Sequence, residues 1–197
     1  MGKILKPAVF LDRDGTINVE KNYLYRIEEF EYKPGVIEGL KKLDDMGFIL
    51  VIITNQSGIA RGIYTEEDFR KLNGWMLVDL EDKGVKISGV YHCPHHPRGR
   101  VPEYAVRCRC RKPSTGLFWR AQKELQIDMD KSFAIGDRLR DLTVCKESGV
   151  QGVLLVDGSE MSYQDGICRC RTFGGAVEWI ERQKNIYMRK EESFRSI

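Results

Sequence analysis

Apolar runs of strand length alternate along this chain with stretches whose apolar residues recur every three or four positions, and that alternation predicts a fold. "PAVFLD" (residues 7–12) is a continuous apolar run ending in a charged, glycine-containing turn, the form of a buried parallel strand. "PGVIEGLKKLDDMG" follows, with Pro34 near a helix start, Val36, Ile37, Leu40 and Leu43 at helical spacing, and Gly47 where a C-cap belongs. "FILVIIT" (48–54) is a second apolar strand, so the three pieces make a right-handed βαβ unit. Thr65 and Asp68 open a further helix that keeps Phe69, Leu72, Met76 and Leu80 on one face and ends near Gly84, after which "SGVYHC" reads as strand. Downstream, "TGLFWRAQKELQ" reads as helix, "SFAIGD" as strand, "LRDLTVCKESG" as helix and "GVLLV" as strand. Beyond Gly158 the pattern weakens, apart from a helix at "GAVEWIERQ", and the charged tail from about residue 186 to 197 is expected to fray. The whole predicts a doubly wound α/β domain with a parallel sheet and its ligands at the carboxyl ends of the strands.

Composition narrows the function. A chain of 197 residues suits one domain, 1–197, with its core over about residues 7–185. Hydrophobic content of 42% and charged content of 31% are ordinary for a soluble protein, and no apolar run approaches the roughly 18 residues of a membrane span. The N-terminus lacks a small-residue cleavage site, and Lys6 breaks a myristoylation pattern, so a cytoplasmic protein is expected. A net charge of +3 is too small to argue for nucleic acid or membrane, though "RCRCRKP" is a positive patch suited to an anionic substrate.

The candidate chemistry sits where strands end. Asp12 and Asp14 lie two apart beyond the first strand, so one carboxylate can attack or bind a cation while the other handles a proton. Thr54 supplies a hydroxyl after the second strand, and the backbone amides of Asn55, Gln56, Ser57 and Gly58 can point at an anion. Lys112 can neutralise a phosphoryl group, and Asp137 adds the further carboxylate that Mg²⁺ favours. A lone D-x-D pair is common in solvated turns. Several such signals at successive strand ends of one α/β pattern are not what chance would scatter.

Six cysteines in a chain without a signal peptide, with tight C-x-C and C-x-H spacings, favour metal over disulfides. Cys93 and His95, then twelve residues, then Cys108 and Cys110 can close a four-ligand N/S shell around Zn²⁺, with His96 an alternative to His95 that spacing does not separate. Four ligands leave no open position, so this zinc is expected to be structural, pinning a loop that places Arg111 and Lys112. Cys168 and Cys170 read as unliganded thiols, and Cys145 as helix packing.

"FLDRDGT", "TNQSGIARG", "CRKP" and "IGDRLRD" resemble, in order, the four motifs of the haloacid dehalogenase superfamily of phosphatases, over about residues 8 to 155. Within it, "TNQSGIARGIYTEEDF", "CPHHP" and "CRCRKP" resemble the heptose bisphosphate phosphatase branch. The resemblance implies a core without a large cap domain, an aspartyl-phosphate formed on Asp12, and Asp14 as the acid and base. It implies that Thr54 and Lys112 hold the phosphoryl oxygens. Mg²⁺ would be held by the Asp12 carboxylate, the Asp14 backbone carbonyl and Asp137, with Asp141 helping through water. A sugar bisphosphate would be contacted by Arg111, by Arg138 and by Glu20, Lys21, Asn22 and Tyr23, and the product would feed nucleotide-activated heptose synthesis. Relatives carry zinc in the Cys93, His95, Cys108, Cys110 arrangement. Motif four has Arg138 where the family pattern has lysine, which keeps the charge and changes the donors. A monomer is expected, with no nucleic-acid or membrane partner. The alternatives are a histidinol-phosphate phosphatase, a polynucleotide 3′-phosphatase, and a zinc-stabilised binding module on an inactive phosphatase-like fold.

Overall fold

The structure, a computed structural model, describes residues 5–158, 161–164 and 166–195. Its strands are β1 (Lys6–Leu11), β2 (Ile49–Asn55), β3 (Ile87–Cys93), β4 (Ile127–Gly136), β5 (Gln151–Leu155), β6 (Ser162–Gln164) and β7 (Ile167–Cys170). They form one sheet in the order β3-β2-β1-β4-β5-β7-β6, parallel except where β6 pairs with β7. From β1 the chain winds outward through β2 and β3, then returns to the other side of β1 with β4. Strand order therefore reverses between β1 and β4, where a doubly wound sheet opens a crevice at its carboxyl edge. Asp12 follows the last residue of β1, and its amide bonds the Ile135 carbonyl of β4 at 3.0 Å.

The helices are α1 (Val36–Asp45), α2 (Ser57–Ala60), α3 (Glu66–Asp82), α4 (Gly116–Leu125) and α5 (Phe173–Arg195). Each apolar strand splits its residues between two cores because successive side chains point to opposite faces. Val9 and Leu11 of β1 join Leu50, Ile52, Phe133 and Ile135 under α1, α3 and α5, while Ala8 and Phe10 join Val51, Ile53 and Ala134 under α4. The helix starts and stops follow local chemistry. Thr65 and Asp68 exchange capping hydrogen bonds at the head of α3, and Gly47 takes a left-handed φ of 84° just past α1.

Two segments differ from the sequence pattern. Residues 139–149 read as an ordinary helix, whereas Leu139–Lys146 forms a 3₁₀ helix. Asp141 is anchored there from several sides: it accepts the Arg138 amide at 3.0 Å, meets Lys112 at 2.8 Å and packs on Gly136, and a tighter coil holds it in that position. After Gly158, where the pattern faded, lie β6, β7 and α5. Strands of three and four residues carry too few positions for periodicity to register. Buried Phe173, Ala176, Val177 and Ile180 seat α5 on the sheet.

Gly39 lets α1 meet α5 closely, since a Cβ there would fall 2.5 Å from a ring carbon of Phe173. Overpacking of about 2 kcal/mol should outweigh the roughly 1 kcal/mol that alanine gains in a helix. Gly39→Ala is therefore expected to lower the Tm by a few degrees in thermal unfolding.

Candidate active site

The carboxyl edge between β1 and β4 gathers charge that the apolar strands would otherwise exclude. The Lys112 ammonium is buried, donates to Asp12 Oδ1 at 2.7 Å and to the Ile53 carbonyl at 2.6 Å, and forms an ion pair with Asp141 Oδ1 at 2.8 Å. Burial favours its neutral amine, but the two carboxylates overcome this and its pKa lies above the ordinary lysine value. Burial pushes the Asp12 carboxyl up to about 7, against the pull of Lys112, with Asp141 and Asp14 adding to the rise. Asp137 is raised in the same sense, by burial first and then by Asp141. Carboxylate oxygens of Asp12, Asp137 and Asp141 lie within 4.8 Å of one another. Gly15, at a left-handed φ of 86°, lets the turn press in: a Cβ there would sit 2.5 Å from Asp137 Oδ2. Three clustered hard oxygen donors fit a divalent cation such as Mg²⁺.

Asp14 is held separately. Arg13, wholly buried, reaches it with Nε and Nη2 at 3.0 to 3.2 Å and also meets the Leu24 carbonyl and Gln56. Asn18 and Gln56 donate to the same carboxylate at 3.1 and 2.9 Å. Gln56 further donates to buried Thr54 Oγ1 at 2.8 Å and receives the Tyr64 hydroxyl. Asn55 clamps the backbone of Lys112 from both sides, its amide donating to the Lys112 carbonyl and its oxygen accepting the Lys112 N–H, each at 3.0 Å.

On the β3 side, the Cys93, Cys108 and Cys110 sulfurs lie 3.1 to 3.6 Å apart, and His95 Nδ1 lies 3.7 Å from Cys93 Sγ and 3.3 Å from Cys110 Sγ. That is close to the roughly 3.8 Å edge of a tetrahedron built from 2.3 Å zinc–sulfur bonds. Geometry separates the two histidines: His95 joins the sulfurs, whereas His96 turns away to Arg61. Cys168 and Cys170 are buried with sulfurs 3.4 Å apart, and no third metal-ligating side chain joins them among the described residues. Cys145 packs in the α4-side core.

A cavity of about 330 Å³ opens above Asp14, lined by Glu20, Asn22, Tyr23, Asn55, Gln56, Ser57, Arg111 and Arg138 of the sequence-derived set. Lys21 is not in the lining and pairs with Glu31 at 3.1 Å. Arg138 approaches Asp137 at 3.6 Å, and Arg111 is half-buried with Nη1 on the His95 carbonyl. Arg61, Tyr64, His96 and Arg140 also line the cavity and were not picked out as substrate contacts by sequence, nor was Arg13 as the partner of Asp14. Arg61 and Tyr64 lie inside "GIARGIYT", but no periodicity marks which of its side chains face inward. Four arginines against Asp14, already paired with Arg13, and Glu20 leave the cavity positive and suited to phosphate.

The Polynucleotide kinase 3 phosphatase family matches residues 8–148. D-glycero-beta-D-manno-heptose-1,7-bisphosphate 7-phosphatase of Yersinia pestis is 48% identical over 76% of this chain and 80% of its own. Among solved structures, a HAD-like phosphatase fold from Mesorhizobium loti superposes with a TM-score of 0.80 at 34% identity, covering 92% of this chain and 91% of that one. D,D-heptose 1,7-bisphosphate phosphatase from B. bronchiseptica, complexed with magnesium and phosphate, superposes with a TM-score of 0.75 at 24% identity, over 90% and 99% of the two chains.

Removing Arg13 would leave the Asp14 carboxylate without its principal partner in a mostly buried setting. Arg13→Ala is expected to cost about 3 kcal/mol or more in urea unfolding, a loss that an unchanged midpoint would contradict.

Proposed function

The chain belongs to the family of D-glycero-beta-D-manno-heptose-1,7-bisphosphate 7-phosphatases, within the Polynucleotide kinase 3 phosphatase family, and we propose that it removes the C7 phosphate of that bisphosphate, as the β anomer. The observation that carries the reading is the buried Asp12–Lys112–Asp141 triad, with Asp14, two residues on from Asp12, in the lining of an arginine-lined cavity. An Asp12 carboxylate oxygen attacks phosphorus, the C7 oxygen leaves, and Asp14 supplies its proton. Asp14 then takes a proton from water as that water attacks the aspartyl-phosphate, releasing inorganic phosphate and regenerating Asp12. Lys112 and Thr54 hold the phosphoryl oxygens while charge develops. Asp12, Asp137 and the Asp14 backbone carbonyl would hold Mg²⁺, which neutralises phosphoryl charge when bound, with Asp141 acting from behind Lys112. Cys93, His95, Cys108 and Cys110 would hold a structural zinc.

No helix among the described residues is long and apolar enough to cross a membrane. The six cysteines are free thiols in the structure, which supports work in the reducing cytoplasm. A cavity of this size supports a small sugar phosphate as partner rather than a polynucleotide track.

Phosphate release with Mg²⁺ is expected to be at least about a hundredfold more efficient from heptose 1,7-bisphosphate than from histidinol phosphate or a 3′-phosphorylated oligonucleotide. That ratio is about 2.7 kcal/mol of transition-state discrimination. Asp12→Asn should abolish release, and the α anomer, run alongside, tests the anomeric reading. A win for either rival substrate would overturn the sugar assignment and leave the chemistry of Asp12 intact. Purified protein should carry about one zinc per chain by elemental analysis, and Cys108→Ser should lose the metal and lower the Tm. Full stability in zinc-free protein would contradict the structural role.

A further inference from the structure

Tyr64 lines the cavity, yet its hydroxyl is engaged inside the protein. The residue is 5% exposed, and the hydroxyl donates to Gln56 Oε1 at 2.5 Å. Burial raises the phenol above its ordinary pKa, against the pull of Arg13, so the group keeps its proton and acts as a donor. Arg13 Nη2 reaches the same oxygen at 3.3 Å, and a guanidinium nitrogen also only donates. Two donors on one side fix which end of the Gln56 amide is oxygen. Nε2 therefore turns its two N–H groups away from them, where Asp14 Oδ2 lies at 2.9 Å and Thr54 Oγ1 at 2.8 Å.

The direction of these bonds matters at Thr54. Its oxygen accepts from Gln56, so its own O–H is left to donate, and a hydroxyl that holds a phosphoryl oxygen must do so as a donor. A Gln56 amide turned over would present its oxygen to Thr54, draw that proton away and set a carbonyl against the Asp14 carboxylate. Tyr64 is held where it prevents this. The Ile63 N–H donates to the Gly58 carbonyl at 2.9 Å, folding the chain back after α2, and a Cβ on Gly58 would overlap the Tyr64 ring. Tyr25 stacks on that ring, with centroids 5.4 Å apart and planes 17° apart. Of the two bonds to Gln56 Oε1, the one from Tyr64 is the shorter, so the phenol is the stronger restraint on the amide.

We propose that Tyr64 is a positioning residue for phosphoryl transfer: its hydroxyl locks the Gln56 amide so that Thr54 donates to the phosphoryl group while the Asp14 carboxylate is fixed beside it. This rests on the phosphatase reading above and adds to it a residue that acts without touching substrate. The O–H of Tyr64, an N–H of Gln56 and the O–H of Thr54 all donate in one direction, and such a chain strengthens its last donor. The device acts on charge that develops at the phosphoryl group, so it serves turnover rather than substrate affinity.

Tyr64→Phe removes the hydroxyl and keeps the ring against Gly58 and Tyr25. With Mg²⁺ and either heptose 1,7-bisphosphate or p-nitrophenyl phosphate, it is expected to lower kcat at least about fivefold without raising KM. Gln56→Met, close in volume and without the amide, should lower kcat further, and adding Tyr64→Phe to it should cost less than about twofold more. Gln56→Leu is a second background of the same kind. An unchanged kcat in Tyr64→Phe, a loss carried by a raised KM, or the same loss in both backgrounds would overturn the proposal. If the wild type hydrolyses p-nitrophenyl phosphate but not the bisphosphate, the sugar assignment falls and the kcat comparison still decides the role of Tyr64. Calorimetric binding of orthovanadate with Mg²⁺ separates the proposal from hydrolysis altogether, because bound vanadate copies the geometry of phosphoryl transfer. If the wild type hydrolyses neither substrate yet binds vanadate, a loss of affinity of at least about fivefold in Tyr64→Phe, absent in the Gln56→Met background, sustains the role of Tyr64. Equal affinity refutes it, and a wild type that neither turns over substrate nor binds vanadate refutes both the role and the function.

Discussion

One ammonium group organises this molecule. Lys112 enters an interior lined by β1 and β2, where an unpaired charge would be expelled, and it is kept by Asp12, Asp141 and the Ile53 carbonyl. Such a group is tolerable only when every partner is in place, because the cost of desolvation is repaid only by close and complete pairing. Asp12 follows β1, Ile53 lies in β2 and Asp141 sits in the 3₁₀ coil that follows β4, so the pairing ties these three segments at the point where strand order reverses.

Much of the remaining structure serves to deliver that lysine. Asn55 grips its backbone on both faces, and two residues upstream Cys110 is drawn into the cluster with Cys93, Cys108 and His95. The loop from 94 to 115 has no strand or helix of its own, and segments of that length need an internal tether to hold a side chain accurately. A metal at the cysteine cluster, as proposed, would be that tether. The same loop reaches across to α2, which joins the cavity-lining turn of residues 55–57 to the wall carrying His96.

The two aspartates of the "DRDGT" turn live in different surroundings. Asp12 is enclosed with a lysine and other carboxylates, while Asp14 is fanned by Arg13, Asn18 and Gln56. Neighbouring carboxylates with distinct partners can take distinct roles, which is what a nucleophile and a proton carrier require. Arg13 lies between them in sequence but turns wholly inward, stacked at 5.5 Å on Phe69, and so orients Asp14 from below.

The local pattern of residues determined the strands β1 to β5, the helices α1, α3 and α4, and the turns that end them, because periodicity, caps and glycines act over a few positions. It also marked Asp12, Asp14, Thr54 and Asp137, since each lies at or just beyond a strand end that could be read, and Lys112 through the basic run that closes the cysteine-bearing loop. Only the tertiary structure decided what depends on distant pieces of chain meeting. It chose His95 over His96 by placing one among sulfurs and the other beside Arg61, and it sent Lys21 outward to Glu31. It wound residues 139–146 into a 3₁₀ coil around the anchored Asp141, and it turned Arg61 and Arg140 into the cavity. Direction within a loop has no period to read; it is set by which neighbours the fold supplies, and those neighbours lie tens of residues away.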